Sequence, residues 1–206
     1  MNVMVFEGFL GAGKTAGASV FAKAFQERSG CALYSNYGLK DSKPFTQLED
    51  FFDIAQEPSS LLVLDEAHMD LDSRSFSSNH VKFFTQTSYY LRKLRCTMII
   101  TSPSFDDLDS RIRGITNILC KVRKENGYFI YELFDIQSNR FLRTYRFKQK
   151  HLSDYGSRIF DTTKMVTPVV VPEKREDFKI FLDRLKAVSE SYTDRKKRQT
   201  AVPFGA

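Results

Sequence analysis

The sequence predicts an α/β domain: a mainly parallel sheet covered by helices on both faces, with an antiparallel extension toward the C-terminus. Three observations predict it. Short apolar runs at residues 3–6, 61–64 and 97–101 read as strands buried on both faces, the pattern of parallel sheets. Segments of helical period lie between them, and after Gly114 the texture changes to apolar and polar residues in alternation. The 206 residues, 42% hydrophobic, suffice for one domain with a substantial core and are few for two.

The elements follow in order. Residues 3–6 form the first strand and 15–27 the first helix, with Ala16, Ala18, Val20, Phe21, Ala24 and Phe25 as its apolar positions. Residues 31–35 are a second strand. Residues 44–52 read as a helix opening on Pro44, whose fixed φ suits a first helical position, with Leu48, Phe51 and Phe52 inward. The run 61–64 ends at Asp65-Glu66. A long helix is expected over 79–95, striped by Val81, Phe84, Ser88, Leu91 and Leu94, followed by the strand 97–101 and its stop at Ser102-Pro103. Residues 118–123, 128–134 and 141–147, separated by "KENG" and "DIQSNR", form a meander that extends the sheet edge or makes a small flap. "VTPVVVPE" is extended, and 173–192 is a terminal helix with Phe178, Phe181, Leu182, Leu185 and Val188 on one face. The expected organisation is a domain over 1–172 including the meander at about 117–147, a helix at 173–192, and a flexible basic tail at 193–206. The order of strands in the sheet is not readable from these patterns.

Gly8 to Thr15, "GFLGAGKT", fits the Walker A pattern G-x-x-x-x-G-K-[ST] and stands between a strand and a helix, the context the motif requires. Its chemistry accounts for its residues. Successive backbone N–H groups must converge on phosphate oxygens, so Gly8, Gly11 and Gly13 occur where the chain takes unusual conformations or approaches a ligand closely. Ala12 and Ala16 complete the cradle and the first helical turn, whose dipole favours anions. Lys14 is expected to reach the β- and γ-phosphates of ATP, and the Thr15 hydroxyl to bind Mg²⁺. The expected class is therefore a P-loop NTPase of RecA/ASCE type.

At the end of the run 61–64, Asp65 is placed to hold Mg²⁺ through water, as a Walker B acid, and Glu66 to polarise an attacking water as general base. A second acid has a task in hydrolysis and less of one in transfer to another acceptor. Thr101 and Ser102 close the next strand at the crevice end of a parallel sheet, where a hydroxyl can sense the γ-phosphate. An arginine from a neighbouring subunit would neutralise transition-state charge; Arg111 and Arg113 are first candidates, Arg74 is second, and Arg92 and Arg95 also flank the site. "DEAH", Asp65 to His68, matches the DEAH-box helicase motif, but those enzymes need two tandem domains. His80 and His151 lack metal-ligand spacing.

A net charge of +6 admits an acidic partner such as DNA. Arg195, Lys196, Lys197 and Arg198 in the tail, and Lys82, Arg92, Lys93 and Arg95, are candidate phosphate contacts. Cys31, Cys96 and Cys120 are odd in number and lie beside apolar runs, which suits buried thiols in a reducing compartment. With no leader and no run near the roughly 18 apolar residues of a membrane helix, a cytoplasmic location is expected, in the host or with the virion if the protein is viral.

Taken together, the early phosphate loop, "YSNYGLK", "LLVLDEAH", the basic helix and "MIITSPSFDDLDSRIRG" resemble the zonular occludens toxin-like and related viral assembly and packaging ATPases of the HerA–FtsK group. The resemblance covers roughly the first 120 residues. "IFDTTKMV" is similar to a "YDT" segment of that group, with Phe160 in place of Tyr. It implies an oligomeric ring coupling ATP hydrolysis to viral DNA packaging or virion assembly, with contacts to capsid proteins. Zonular occludens toxin-like proteins commonly carry a membrane span after the ATPase domain; none is visible here, which favours a packaging motor over extrusion. A small-molecule or nucleotide kinase, or a nucleotide-dependent switch without turnover, are the other readings the phosphate loop allows.

Overall fold

A computed structural model describes residues 3–67, 79–161 and 163–200. In chain order, the strands are β1 (Val3–Glu7), β2 (Ala32–Ser35), β3 (Lys43–Pro44), β4 (Ser60–Leu64), β5 (Cys96–Ser102), β6 (Ile118–Glu125), β7 (Tyr128–Asp135) and β8 (Arg140–Lys148). The described helices are α1 (Lys14–Ser29), α2 (Phe51–Ile54), α3 (Asn79–Ser88), α4 (Ser110–Ile115), α5 (Gln149–Ile159) and α6 (Arg175–Thr200).

The eight described strands join one sheet in the order β3-β2-β4-β5-β1-β6-β7-β8. The pairings from β3 to β6 are parallel, and β6-β7-β8 is the antiparallel meander, joined to the core edge at β1. The meander therefore extends the sheet and is not a detached flap. Strand β5 lies between β1, which leads into the phosphate loop, and β4, which leads into Asp65. The carboxyl ends of these three strands thus meet at one crevice, where open α/β sheets bind ligands.

The sheet has an apolar layer on each face. On one side Val3, Val5, Leu62, Leu64, Met98 and Ile100 pack with Phe51, Phe84, Ile112 and Phe178 from the helices. On the other, Met4, Phe6, Leu61, Val63 and Ile99 pack with Ala18 and Ala22 of α1 and with Tyr131 and Leu152. Each fully buried large side chain contributes about 1.5–3 kcal/mol of transfer free energy. The register puts neighbouring strand residues on opposite faces, so a continuous apolar run serves both layers.

Four local expectations are corrected. Residues 44–52 are not one helix. Pro44 lies in the edge strand β3 opposite Ser35, where its missing N–H costs nothing. The Asp50 carboxylate then accepts from the Thr46 and Gln47 N–H groups at 2.7 and 3.1 Å, so helical structure begins with the 3-10 turn Leu48–Asp50. Helix α3 stops at Ser88 rather than at 95. The hydroxyls of Thr85, Thr87 and Ser88 donate back to the carbonyls of Val81, Phe83 and Phe84, competition that weakens a helical end, while Arg95 sits in the left-handed region at φ 57°. The expected stripe still points inward, because Leu91 and Leu94 are buried from the following turns. Helix α5 was not expected. Finally, α6 continues to Thr200, through the first part of the stretch expected to be a flexible tail.

Candidate nucleotide site

The loop from Gly8 to Gly13 joins β1 to α1. Gly11 and Gly13 have φ of 75° and 97°, conformations that side chains with a Cβ resist. Gly8 is needed for closeness: a Cβ there would stand 2.4 Å from the Val122 carbonyl oxygen of β6. The Gly8 N–H donates to the Pro103 carbonyl at 3.2 Å, and that of Ala12 to the Phe9 carbonyl at 3.0 Å. Helix α1 starts on Gly13 with no side-chain cap and no acid in its first turn. Its leading N–H groups and positive dipole end are therefore directed at the loop, not neutralised by the chain. Lys14 is buried, and its ammonium donates across the loop to the Phe9 carbonyl at 3.3 Å.

The acids converge on the same place. The Thr15 hydroxyl donates to the Asp65 carboxylate, 2.9 and 3.0 Å from its two oxygens. The Thr101 hydroxyl donates to Asp65 Oδ1 at 2.6 Å and accepts from the Glu66 N–H at 3.0 Å. Strand β5 thus supplies a pin between the Asp65 carboxylate and the Glu66 backbone just past β4, which explains why its position between β1 and β4 matters. Glu66 has φ 50°, a left-handed conformation costing about 1–2 kcal/mol for a residue with a Cβ. The bond from its N–H to Thr101, with that from Ala67 N–H to the Thr101 carbonyl at 3.0 Å, holds this turn. Burial pushes the Asp65 carboxyl above its ordinary range, and the hydrogen bonds from Thr101 and Thr15 oppose that shift.

Thr15 and Asp65 offer only hydroxyl and carboxylate oxygens, the donor chemistry that a hard cation such as Mg²⁺ takes. Their contact at the foot of the loop fits such an ion beside the phosphates. Ala12, buried, and Ala16, half-buried, lie in the loop and first turn as expected. Thr101 is fully buried between the acids, and the Ser102 hydroxyl donates to the Ser104 carbonyl at 2.7 Å. Arg111 and Arg113 sit on α4, after β5. Arg111 lies 3.6 Å from Asp109, and Arg113 makes a 2.5 Å ion pair with Asp106. Arg74 and His68 lie outside the described residues. Arg95 is half-buried and engaged within the chain: its guanidinium donates to the carbonyls of Ala55 and Glu57 and stacks on Tyr192.

Three supports escaped the sequence reading. Asn36, buried at the end of β2, accepts from the Asp65 N–H at 2.8 Å and donates to the Asp65 carbonyl at 3.1 Å. This reciprocal pair fixes the backbone that aims Asp65. "YSNYGLK" contains it, but nothing in the sequence links it to a residue 29 positions away. Tyr37 shares a 2.8 Å hydrogen bond with Ser19, which donates to the Thr15 carbonyl at 2.7 Å. From the meander, the Tyr131 hydroxyl donates to the Gly13 carbonyl at 2.8 Å. A Cβ on Gly17 would stand 2.1 Å from the Tyr131 ring.

A phosphate loop after β1, an acid pair after β4 and an interposed β5 define the fold of P-loop NTPases. Among solved structures, the chain is similar to the N-terminal domain of zonular occludens toxin from Neisseria meningitidis, at 15% identity and TM-score 0.58, covering 78% of this chain and 98% of that one. It is also similar to the genome packaging NTPase B204 from Sulfolobus turreted icosahedral virus 2, solved with ATP-gammaS, at 10% identity and TM-score 0.51, covering 70% and 96%. A further solved ATPase domain matches at 10% identity and TM-score 0.56, covering 75% and 83%. At these identities the likeness is one of fold, and at that level the expected resemblance is borne out. No family model and no curated protein sequence matches the chain. Among the described residues, no helix is long and apolar enough to cross a membrane.

Proposed function

We propose that the protein is a Mg²⁺-dependent ATPase whose turnover drives DNA movement in an oligomeric assembly, serving viral genome packaging or virion assembly in the cytoplasm or at the virion. The observation that carries the hydrolytic part is the Thr15-Asp65-Thr101-Glu66 network at the foot of the phosphate loop. Lys14 and the N-terminus of α1 bind the β- and γ-phosphates. Thr15 and Asp65 are the residues that would hold Mg²⁺, which when bound neutralises phosphate charge. Glu66 takes a proton from the water that attacks the γ-phosphorus as the bond to the β–γ bridging oxygen breaks. Thr101 positions both acids and reports the state of the γ-phosphate through them. Arg111 or Arg113 acts on a neighbouring subunit's site. The Arg113–Asp106 ion pair lies largely in solvent and is inexpensive to exchange, whereas Asp109 beside Arg111 is buried.

The DNA part is supported by the net charge of +6 and by likeness in fold to a genome packaging NTPase. Turnover measured against protein concentration, with and without single- and double-stranded DNA, tests the reading. Specific activity that rises with concentration and with DNA is expected. Full activity in the dilute monomer would overturn the arginine in trans, and transfer of phosphate to a small acceptor would make the protein a kinase. Nucleotide binding without turnover would make it a switch.

A further inference from the structure

Strand β8 ends the sheet, and among the described residues no strand pairs with its outer edge. It carries Arg140, Arg143, Arg146 and Lys148 and no acid. Of the meander's nearby carboxylates, Glu125 and Glu132 are both held by Arg123, and Asp135 stands opposite Arg140 while accepting from the Gln137 and Ser138 N–H groups. Among the described residues, Arg143, Arg146 and Lys148 make no ion pair. Two of these cations are held over rings instead. The Arg143 guanidinium lies 5.0 Å from the Tyr145 ring centroid, and that of Arg146 lies 4.9 Å from the Tyr128 centroid. Through the pairing register, Arg143 shares the α1 side of the sheet with Leu133, while Arg146 shares the opposite side with Ile130. Long cationic side chains therefore wrap the free edge from both faces.

Cations also protect an edge strand against pairing with another chain. Protection alone does not explain the aromatic and aliphatic groups beside them. Phe141 is 53% exposed, and Leu142 is exposed next to it at a bulge. A row of unpaired cations with planar rings and guanidinium stacks is what a flexible anionic polymer with flat bases requires. Duplex DNA would use the cations and leave the rings idle.

We propose that the β8 rim binds single-stranded DNA, the cations contacting phosphates and the Phe141 ring stacking on a base. This rests on the reading of the protein as a motor acting on DNA, and it moves the contact surface away from the segment bearing Arg95. Strand β7 bonds to β8 on one side and presents Phe129 and Tyr131 to the phosphate loop. The rim is therefore one strand from the nucleotide.

The test is fluorescence anisotropy of a labelled mixed-sequence oligonucleotide with the full chain across a salt series, in single-stranded and duplex form. R140A/R143A/R146A is expected to bind the single strand at least about tenfold more weakly at low salt. Its log-log salt slope should shrink by about 2, from three lost contacts at about 0.7 each. R140K/R143K/R146K keeps most of the affinity, and binding of an ATP analogue is unchanged in both. If the triple alanine variant fails to fold, R146E carries the test and must weaken binding alone. Wild-type protein that binds DNA, with variants that bind equally well at the same slope, overturns the rim and leaves the motor reading standing. Wild-type protein that binds neither DNA form overturns both. Tighter binding of duplex than of strand overturns the choice of ligand.

Discussion

Strands β4 and β7 belong to one sheet and contribute to one site, yet they are built differently. All five residues of β4 are buried, between helices on both faces, and the candidate site residue Asp65 lies just past its end. Strand β7 has helix α1 on one face only. Phe129, Tyr131 and Leu133 turn to that side, while Tyr128, Glu132 and Phe134 on the other remain partly in solvent. The candidate site groups of the parallel half lie at strand ends. Support from the antiparallel half comes from a strand's middle, where Tyr131 reaches the Gly13 carbonyl. The difference teaches that the meander is part of the glycine loop's frame, bracing it through Tyr131 and Phe129.

Variants in the two halves should therefore fail in different ways. The largest effect is expected for Lys14→Ala, which abolishes ATP turnover, read as phosphate release; retained activity would remove the loop from the mechanism. Glu66→Gln keeps nucleotide binding and lowers turnover by about 10²–10⁴, the range of one general base; normal turnover would sink that assignment.

On the meander side, Gly17→Ala separates sequence from structure by sign. Helical propensity alone would have alanine stabilise α1 by about 1 kcal/mol. The Tyr131 ring in the way makes it destabilising by about 1–3 kcal/mol in denaturant unfolding. A gain in stability would break the contrast drawn between the halves. Tyr131→Phe removes one hydrogen bond to the loop, costs about 1 kcal/mol, and weakens ATP binding while leaving Glu66 chemistry intact.

The smallest effect concerns pH in the nucleotide-free protein. Because burial raises the Asp65 carboxyl in the folded state, that state holds its proton more tightly than the unfolded chain. Stability contributed by this proton is present below the ordinary aspartate value near 3.9 and is lost as pH rises to the raised value. Asp65→Asn is expected to raise the thermal midpoint at neutral pH without nucleotide. A lower midpoint would show that the hydrogen bonds outweigh burial.

Legibility followed the range of the interactions. That a glycine-rich loop follows β1 and an acid pair follows β4 was readable because each is a contiguous stretch beside an apolar run. Four strands of the parallel core were readable as apolar runs, and the meander as alternation between turns. Helix ends were not: α3 stops where the hydroxyls of Thr85, Thr87 and Ser88 compete for backbone carbonyls, and the helix expected at Pro44 yields to an edge strand. Asn36 and Tyr131 were invisible as site residues because their partners are 29 and 118 positions away.

By itself the sequence determined that a glycine-rich loop and two acids follow buried strands, since local patterning and backbone chemistry suffice for that. Only the tertiary structure decided that β5 stands between them, making Thr101 the pin of the acid pair, and that the meander continues the sheet. Strand order is chosen by packing across both faces at once, a balance of distant contacts that no stretch of sequence contains.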